Sequence, residues 1–306
     1  PGDSSKYKDS SEASSFGGAL EEASLWHGTM TSVVCAGDGY LSKGLYKGIA
    51  SDAELVLVKV SEDSRAKGDL EGACRITTEN IVKALEWVLQ HHHEYGIRIV
   101  NMSISDDEAI SNKKSEVDRV AAQLVKEGIV VVAAVGNDEK GMIKPPANSL
   151  NVIAVGGIDD GNSLDEPVHK LYHSSFGKTI DELMKPELVA HAIWIAAPVL
   201  PGSGEQEESE ILYQLVHLPD TELLKAVEKI NGTVQINDSI LRSGDADSIK
   251  ENIRQRIQVC KYISPHYMHV DGTSFAAPIV SSVIAQLLEI NPALTPAMIR
   301  TILFNT

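Results

Sequence analysis

The chain has few cysteines, and it has fewer basic than acidic residues. The first shortage bears on disulfide bonds and the second on the partners that the protein can bind. Three cysteines among 306 residues, Cys35, Cys74 and Cys260, are too few and too scattered for the disulfide framework of a small secreted domain. Lys and Arg number 27 against 43 Asp and Glu, which gives a net charge of −16. Nucleic acids and anionic membranes attract basic proteins, so the composition argues against both as partners.

Long hydrophobic runs and targeting signals are also missing. No uninterrupted run of 18 or more apolar residues occurs, so the sequence predicts no membrane span. No signal-peptide pattern is visible, and a cytoplasmic location is therefore favoured; the oligomeric state is left open. Since 43% of the residues are hydrophobic, we expect one large α/β domain or one domain with an appendage.

Apolar runs that alternate with helical patterns indicate the fold class. Predicted strands cover residues 53–60, 98–104, 129–135, 150–156 and 192–197, and predicted helices begin at Thr78 or cover 116–127, 274–290 and 296–305. Apolar strands that alternate with helices imply a parallel sheet flanked by helices on both faces. Ligands of such sheets bind beyond the carboxyl ends of the strands.

Two segments depart from this pattern. Residues 1–24 are rich in Ser, Gly and acidic residues, which predicts a loop that is partly disordered. Residues 201–266 open on Pro-Gly-Ser-Gly and continue with helical stretches, which predicts a helical insertion with a regulatory, docking or purely structural role. Residues 25–200 and 267–306 are left to form the main α/β domain.

The stretch G-T-S-F-A-A-P at 272–278 is the most informative local motif. It places Ser274 between a tight turn and an apolar helix, with Pro278 in the first turn, where a missing N–H costs little. Backbone donors and the helix dipole favour negative charge at such a position. An acyl-transfer nucleophile needs that environment, although a simple N-capping serine also fits.

Two further motifs supply complementary chemistry. His27 opens H-G-T-M ahead of an apolar run, which predicts a histidine at a helix start, and Asn137 directly follows Gly136 after an apolar strand. A histidine, an asparagine and a serine are a base, an oxyanion donor and a nucleophile. Each alone is more typical of a structural role, but the three in this order favour a nucleophilic site.

With these motifs the chain resembles the subtilisin-like serine proteases, the subtilase family. Further matches are V-N-M-S at 100–103, V-I-A-V-G at 152–156 and K-P-E-L-V-A at 185–190. The resemblance implies a subtilisin-like fold and a serine endopeptidase that acts on polypeptides. It assigns Ser274 as the nucleophile, His27 as the general base and Asn137, with the Ser274 N–H, as the oxyanion donors.

The third member of the family's triad is not identifiable. The family carries an aspartate in a D-[ST]-G turn after a buried strand, whereas Asp3 and Asp9 have no apolar strand before them, and the role is not carried onto either. The strand lies upstream of residue 1, or Asp3 takes its place without a strand, or the protein is a pseudoprotease. An inert domain that binds peptides or regulates is therefore the alternative function.

The resemblance also implies two edges that hold an extended substrate. The implied substrate-binding residues are Ser103, Ile104, Ser105, Gly72 and Ala73. The first edge commonly reads S-L-G-G, but here Asp106 follows Ser105, which predicts a narrower or more acidic pocket for the P1 side chain. The second edge binds the peptide by strand addition.

No cofactor and no metal site is predicted. Consecutive helix residues point in different directions, so His91, His92 and His93 cannot all converge on one ion and are interpreted as a solvated helix end. Calcium is frequent among subtilases, yet residues 37–51 offer few clustered oxygen ligands beyond Asp38 and the nearby Asp52. A calcium site is thus left open but not indicated.

Overall fold

The computed structural model describes residues 19–63, 74–161, 163, 170–227, 229, 234, 238–241 and 244–305. In chain order its helices are α1 (Ala19–Ala36), α2 (Thr78–Tyr95), α3 (Glu116–Lys126), α4 (Gly204–Val216), α5 (Asp220–Val227), α6 (Asp238–Leu241), α7 (Ala246–Val259), α8 (Thr273–Ile290) and α9 (Pro296–Phe304). Its strands are β1 (Ser61–Asp63), β2 (Cys74–Ile76), β3 (Ile99–Met102), β4 (Val130–Ala134), β5 (Ile153–Asp159), β6 (Lys170–Leu171), β7 (Gly177–Lys178), β8 (Met184–Lys185), β9 (Leu188–His191), β10 (Ile195–Pro198), β11 (Tyr262–Ser264) and β12 (Tyr267–Val270). A short 3₁₀ helix covers Tyr40–Ser42.

The chain divides into two compact units. The sheet unit consists of His27–Asp38, Lys47–Ile195 and Asp271–Thr306. The helical unit consists of Gly39–Tyr46 and Ala196–Val270, together with the N-terminal residues up to Trp26. The insertion predicted at 201–266 falls within the helical unit.

The sheet unit is built on parallel strands in the order β3, β4, β5 and β9, with β6 antiparallel to the end of β5. All five residues of β4 are buried. On one face the core includes Val131, Leu85 and Leu124 from the strand and from helices α2 and α3. On the other face the core includes Val132 of β4 and Ile284 of α8. The predicted parallel sheet between helices is confirmed.

Most of the long helices begin where the sequence supplies a capping side chain. The N-cap side chains that accept a backbone N–H are Thr77, Ser115, Ser203, Asp245 and Thr295. Such caps satisfy donors that have no intrahelical partner. Helix α8 differs, because its N-cap is a glycine without a side-chain hydrogen bond.

The predicted strand at 53–60 is wrong. Residues 53–60 belong to no ladder, and Leu55, Val56, Leu57 and Val58 are 40–69% exposed. A strand is stabilised by cross-strand pairing, and the described residues provide no strand for this run or for the outer edge of β3. An apolar run and an open edge of this kind mark a surface that a further strand would cover.

The last predicted strand lies at a different place in the chain from the one that the sequence indicated. The fourth parallel strand is β9, not 192–197, and its side chains alternate between exposed and half-buried positions, so it lacks the apolar signal of a buried strand. The strand β10 joins β12 and β11 in a separate three-stranded sheet. The short strands β1 and β2 pair antiparallel with each other.

The helical unit has its own core and one buried ion pair. Helices α4, α5 and α7 pack around fully buried side chains, Leu212, Leu223, Ile249 and Ile253. The carboxylate of Glu208 accepts two hydrogen bonds from Arg256, at 2.9 and 3.0 Å. It accepts a third from the Tyr262 hydroxyl at 3.3 Å, so the buried charge is paired, as stability requires.

Helix α8 is long and apolar enough to cross a membrane by length and composition alone. Slightly more than half of it, 56%, is buried inside the protein. It contributes Ala276, Val280 and Ile284 to the sheet core. The same composition therefore describes the central core helix of an α/β domain.

The buried Asp118, in the first turn of α3, predicts a pH-dependent stability. Burial raises the pKa of its carboxyl to about 7, opposed in part by the Ser115 hydroxyl, whereas the unfolded value is about 3.9. The folded protein then holds this proton between about pH 4 and pH 7 while the unfolded chain releases it, so this contribution to stability is lost as the pH rises. Asp118→Asn should raise the free energy of unfolding at pH 8 by roughly 2–4 kcal/mol and change it little at pH 4.

Urea unfolding of the wild type and the variant at both pH values measures this effect. The matched control is Glu116→Gln, which alters an exposed residue in the same helical turn. The free energy of unfolding of this variant should change between pH 4 and pH 8 by as much as that of the wild type. If the free energies of unfolding of Asp118→Asn and the wild type differed by the same amount at both pH values, the prediction would be contradicted.

Candidate active site

Ser274 is the second residue of α8 and follows a turn that only glycine adopts readily. Gly272 has φ 140°, a backbone region that side chains disfavour, and its carbonyl accepts the N–H of Phe275 at 2.9 Å. The N–H of Ser274 lies in the first helical turn, where donors have no intrahelical acceptor. The Ser274 side chain is half-buried, and its Oγ lies 3.5 Å from the Ser103 carbonyl oxygen, which is a long and therefore weak hydrogen bond. The hydroxyl of Ser274 thus lies beside the backbone N–H groups of the first helical turn.

Asn137, just beyond β4, has its amide fixed in one orientation. Its Oδ1 accepts the Thr273 N–H at 2.8 Å and the Thr273 hydroxyl at 2.9 Å. Because a backbone N–H can only donate, Oδ1 must be the atom that faces Thr273. The Nδ2 group, which carries two donors, is consequently left for another acceptor.

The donors of Asn137 and Ser274 border the same small space. A Cβ added at Gly272 would lie 3.5 Å from Asn137 Nδ2 and 3.7 Å from Ser274 N. That space stays open because residue 272 has no side chain. Paired N–H donors of this kind stabilise a developing oxyanion in acyl-transfer sites.

Ser103 joins the end of β3 to the start of α8. Its hydroxyl donates to the Ser274 carbonyl at 2.6 Å and accepts from Asn101 Nδ2 at 3.0 Å. Asn101 Oδ1 in turn accepts from the Ser281 hydroxyl at 3.1 Å. The Ser103 side chain therefore positions Ser274, which leaves the backbone of 103–105 as the predicted substrate edge.

His27 lies near the start of α8, but not at a helix start as predicted. Helix α1 begins at Ala19, because the residues ahead of His27 include good helix formers. The His27 ring is half-buried and lies 5.8 Å from the Phe275 ring, centroid to centroid. Burial lowers the pKa of His27, so the imidazole is neutral near pH 7 and can accept a proton.

Two parts of the predicted site lie outside the described residues. These are Asp3 and Asp9, considered for the triad, and Gly72 and Ala73 of the second substrate edge. In the part of the chain that the structure does describe, no carboxylate is hydrogen-bonded to the ring of His27. Among the described residues, the candidate site thus has a serine hydroxyl, a neutral imidazole and two N–H donors, and no carboxylate bonded to the imidazole.

Asp106 does not present an open charge to a substrate. It is 6% exposed, and its Oδ1 accepts the Thr78 hydroxyl and, at 2.8 Å, the Asp107 N–H. Its own N–H donates to the Pro145 carbonyl at 2.8 Å. The expected acidity of the P1 pocket therefore finds no support in Asp106, which instead holds the first residue of α2.

Sequence reasoning missed four residues that shape the site, Asn101, Gly272, Thr273 and Ser281. Gly272 and Thr273 stand inside the serine motif, where the sequence predicts a tight turn but assigns neither residue a role in the site. Asn101 and Ser281 are polar residues within largely apolar elements. The buried Ser281 hydroxyl needs a partner, which is a signal that could have found the pair.

The sequence of the chain is similar to those of known proteins. The model of the subtilase family matches residues 2–306. Serine protease AprX of Bacillus subtilis (strain 168) is 27% identical over 289 residues, which are 91% of this chain and 52% of that protein. Subtilisin-like protease 1 of Trichophyton rubrum is 28% identical over 211 residues, 67% of this chain and 35% of that protein. The chain thus spans about half or less of the length of these relatives.

Solved structures resemble the fold. Sphericase gives a TM-score of 0.58 at 19% identity, with 91% of this chain and 68% of that chain covered. The S41 psychrophilic protease gives 0.57 at 16% identity, with the same coverage of 91% and 68%. These likenesses show a subtilisin-like α/β fold, and the family model extends over almost every residue. The chain belongs to the subtilase family.

Proposed function

We propose that this chain is the catalytic region of a serine endopeptidase that cleaves polypeptides through an acyl-enzyme on Ser274. The observation that carries the proposal is the pair of donors, Asn137 Nδ2 and Ser274 N–H, that border the opening beside Gly272. An oxyanion bound between these two N–H groups would receive a hydrogen bond from each. Membership in the subtilase family agrees with this chemistry.

The bond-making and bond-breaking steps of the proposed reaction use these side chains and water. Ser274 Oγ attacks the scissile carbonyl carbon while the neutral His27 takes the hydroxyl proton. The carbonyl oxygen becomes an oxyanion between Asn137 and the Ser274 N–H. His27 then returns its proton to the leaving amine, and a water molecule, deprotonated by His27, hydrolyses the acyl-enzyme.

The base also needs an orienting carboxylate, which we propose arrives on a strand that pairs with the open edge of β3. The end of β3 leads directly to Ser103, which is hydrogen-bonded to Ser274. Carboxyl ends of parallel strands meet at one edge of a sheet. An aspartate directly after a strand paired parallel to β3 would accordingly lie at the edge that carries Ser274.

Labelling with a fluorophosphonate probe, mapped by mass spectrometry, tests the nucleophile. We expect the probe to label Ser274, and we expect this labelling to be slow in the 306-residue chain. Ser274→Ala should abolish the labelling. Ser248→Ala, a change at an exposed serine of the helical unit that takes no part in the candidate site, would serve as a second serine control with the label retained on Ser274. A folded chain whose Ser274 stays unlabelled even when the aspartate strand is supplied would overturn the proposal.

The second candidate is a peptide-binding pseudoprotease. It is favoured by the absence, among the described side chains, of a carboxylate bonded to His27. Binding and cleavage separate the two functions: a pseudoprotease should bind a fluorescent peptide, measured by anisotropy, yet neither cleave it nor accept the probe in the presence of the supplied strand.

A further inference from the structure

We propose that His92, His93 and Glu127 form a binding site for Zn²⁺ at the ends of helices α2 and α3. One ring nitrogen of each histidine and one carboxylate oxygen of Glu127 lie within 4.8 Å of one another. His92 and His93 stand in the last turn of α2, and Glu127 is the C-cap of α3. The proposed site uses none of the residues assigned to peptide hydrolysis, so it does not depend on that function.

The state of His92 points to a ligand. The residue is 8% exposed, and its Nδ1 lies 2.9 Å from the Leu89 carbonyl oxygen. A carbonyl can only accept, so Nδ1 carries the hydrogen and Nε2 holds a lone pair. Nε2 is buried and has no hydrogen-bond partner among the described residues, which is costly for an acceptor. Metal-bound histidines show the same pattern, with one ring N–H donated to a carbonyl and the other nitrogen on the ion.

The three consecutive histidines do not act as one group. Neighbouring helix positions differ by about 100°, and His91 turns away: its ring stacks on Trp87 at 4.5 Å between centroids. The rings of His92 and His93 instead lie 4.0 Å apart. The third ligand comes from α3, which is why reasoning confined to one helix found no site.

Charge and geometry both suit a zinc ion. Two imidazoles and one carboxylate are a donor set that Zn²⁺ takes with a fourth position left for water. Ligand atoms at about 2.0–2.1 Å from a tetrahedral zinc are roughly 3.3 Å apart, so atoms that lie within 4.8 Å of one another must close by at most about 1.5 Å. His93 and Glu127 are exposed and can rotate to do so. The last turns of two helices also carry partial negative charge, which favours a cation.

Zinc binding to the metal-stripped full chain, measured by competition with a chromophoric chelator, tests the proposal. We expect one equivalent of Zn²⁺ to bind and to raise the unfolding temperature, because an ion that binds only the folded state stabilises it. His93→Gln and Glu127→Gln should each weaken binding by about tenfold or more. His91→Gln, the same change one position earlier, is the matched control and should bind as the wild type does.

Three results would overturn the site. They are no bound zinc in the wild type, binding that survives both His93→Gln and Glu127→Gln, and binding that His91→Gln weakens equally. Since both altered ligands are exposed, the variants should fold, and the unfolding temperature of each metal-free protein checks this. A tetrahedral absorption band on Co²⁺ substitution, lost in His93→Gln, would support the assigned ligands independently.

Discussion

A strand that ends in Asp-Ser-Gly, fused ahead of residue 1 or supplied as a separate chain, is expected to accelerate peptide hydrolysis by about 10⁴-fold. Loss of the aspartate from a serine protease triad lowers kcat by about that factor, because the imidazole is then held in the wrong tautomer or orientation. His27 has no carboxylate on its ring within the described chain, so the unsupplemented protein should react at the low rate. Initial rates with a fluorogenic peptide measure the change.

The control for this experiment is the same strand with asparagine in place of the aspartate. Asparagine keeps the shape and hydrogen-bonding size of the side chain but not its charge, so both strands should cover the edge of β3 equally. Protection of the β3 amides from hydrogen exchange would report that pairing. Equal acceleration by the two strands would contradict a catalytic aspartate, and pairing without acceleration by either would favour the pseudoprotease.

Replacement of Glu187 by glutamine is expected to destabilise the protein by about 3–5 kcal/mol, the cost of leaving a buried charge without its partner. Lys185 is 3% exposed, and its Nζ lies 2.6 Å from Glu187 Oε1. The second carboxylate oxygen accepts the Ala154 N–H at 3.0 Å, and Arg300 reaches Oε1 at 3.2 Å. One carboxylate thus neutralises a buried lysine and joins β5, β8 and α9.

An exposed pair provides the comparison for Glu187→Gln. Lys178 and Glu182 are also 2.6 Å apart, but their side chains are 63% and 75% exposed, so water screens them. Glu182→Gln should change the free energy of unfolding by less than about 1 kcal/mol. Urea denaturation of both variants measures the contrast, and similar losses for the two would show that burial of Lys185 is not the cause.

Sequence reasoning located the fold and the positions of Ser274 and Asn137 in it where the signal was local. The apolar run at 129–135 predicts a buried strand, and the residue types around Ser274 and Asn137 predict their places at a helix start and a strand end. The Asn137–Thr273 hydrogen bonds could not be predicted, because they join residues 136 positions apart. Contacts at that distance depend on how the strands are ordered, which no local pattern records.

The strand predicted at 53–60 failed for a related reason. Its composition is typical of a strand, but a strand exists only with a partner, and composition does not name one. The position of His27 within α1 was missed because the motif after it suggested a beginning, while the helix extends back to Ala19. Glu127 was overlooked because its neighbours in space, His92 and His93, belong to another helix.

The link between Asn137 and Thr273 also bears on how such proteins lose activity over evolution. The proposed oxyanion donor Asn137 is held by hydrogen bonds between the turn after β4 and the first turn of α8, and neither His27 nor a carboxylate takes part in these bonds. A descendant that lost its base or its acid would keep a preformed pocket for a peptide carbonyl. Inactivation by mutation would then leave a ready-made receptor for extended peptides, so new binding functions could arise in this fold without any rebuilding of the pocket.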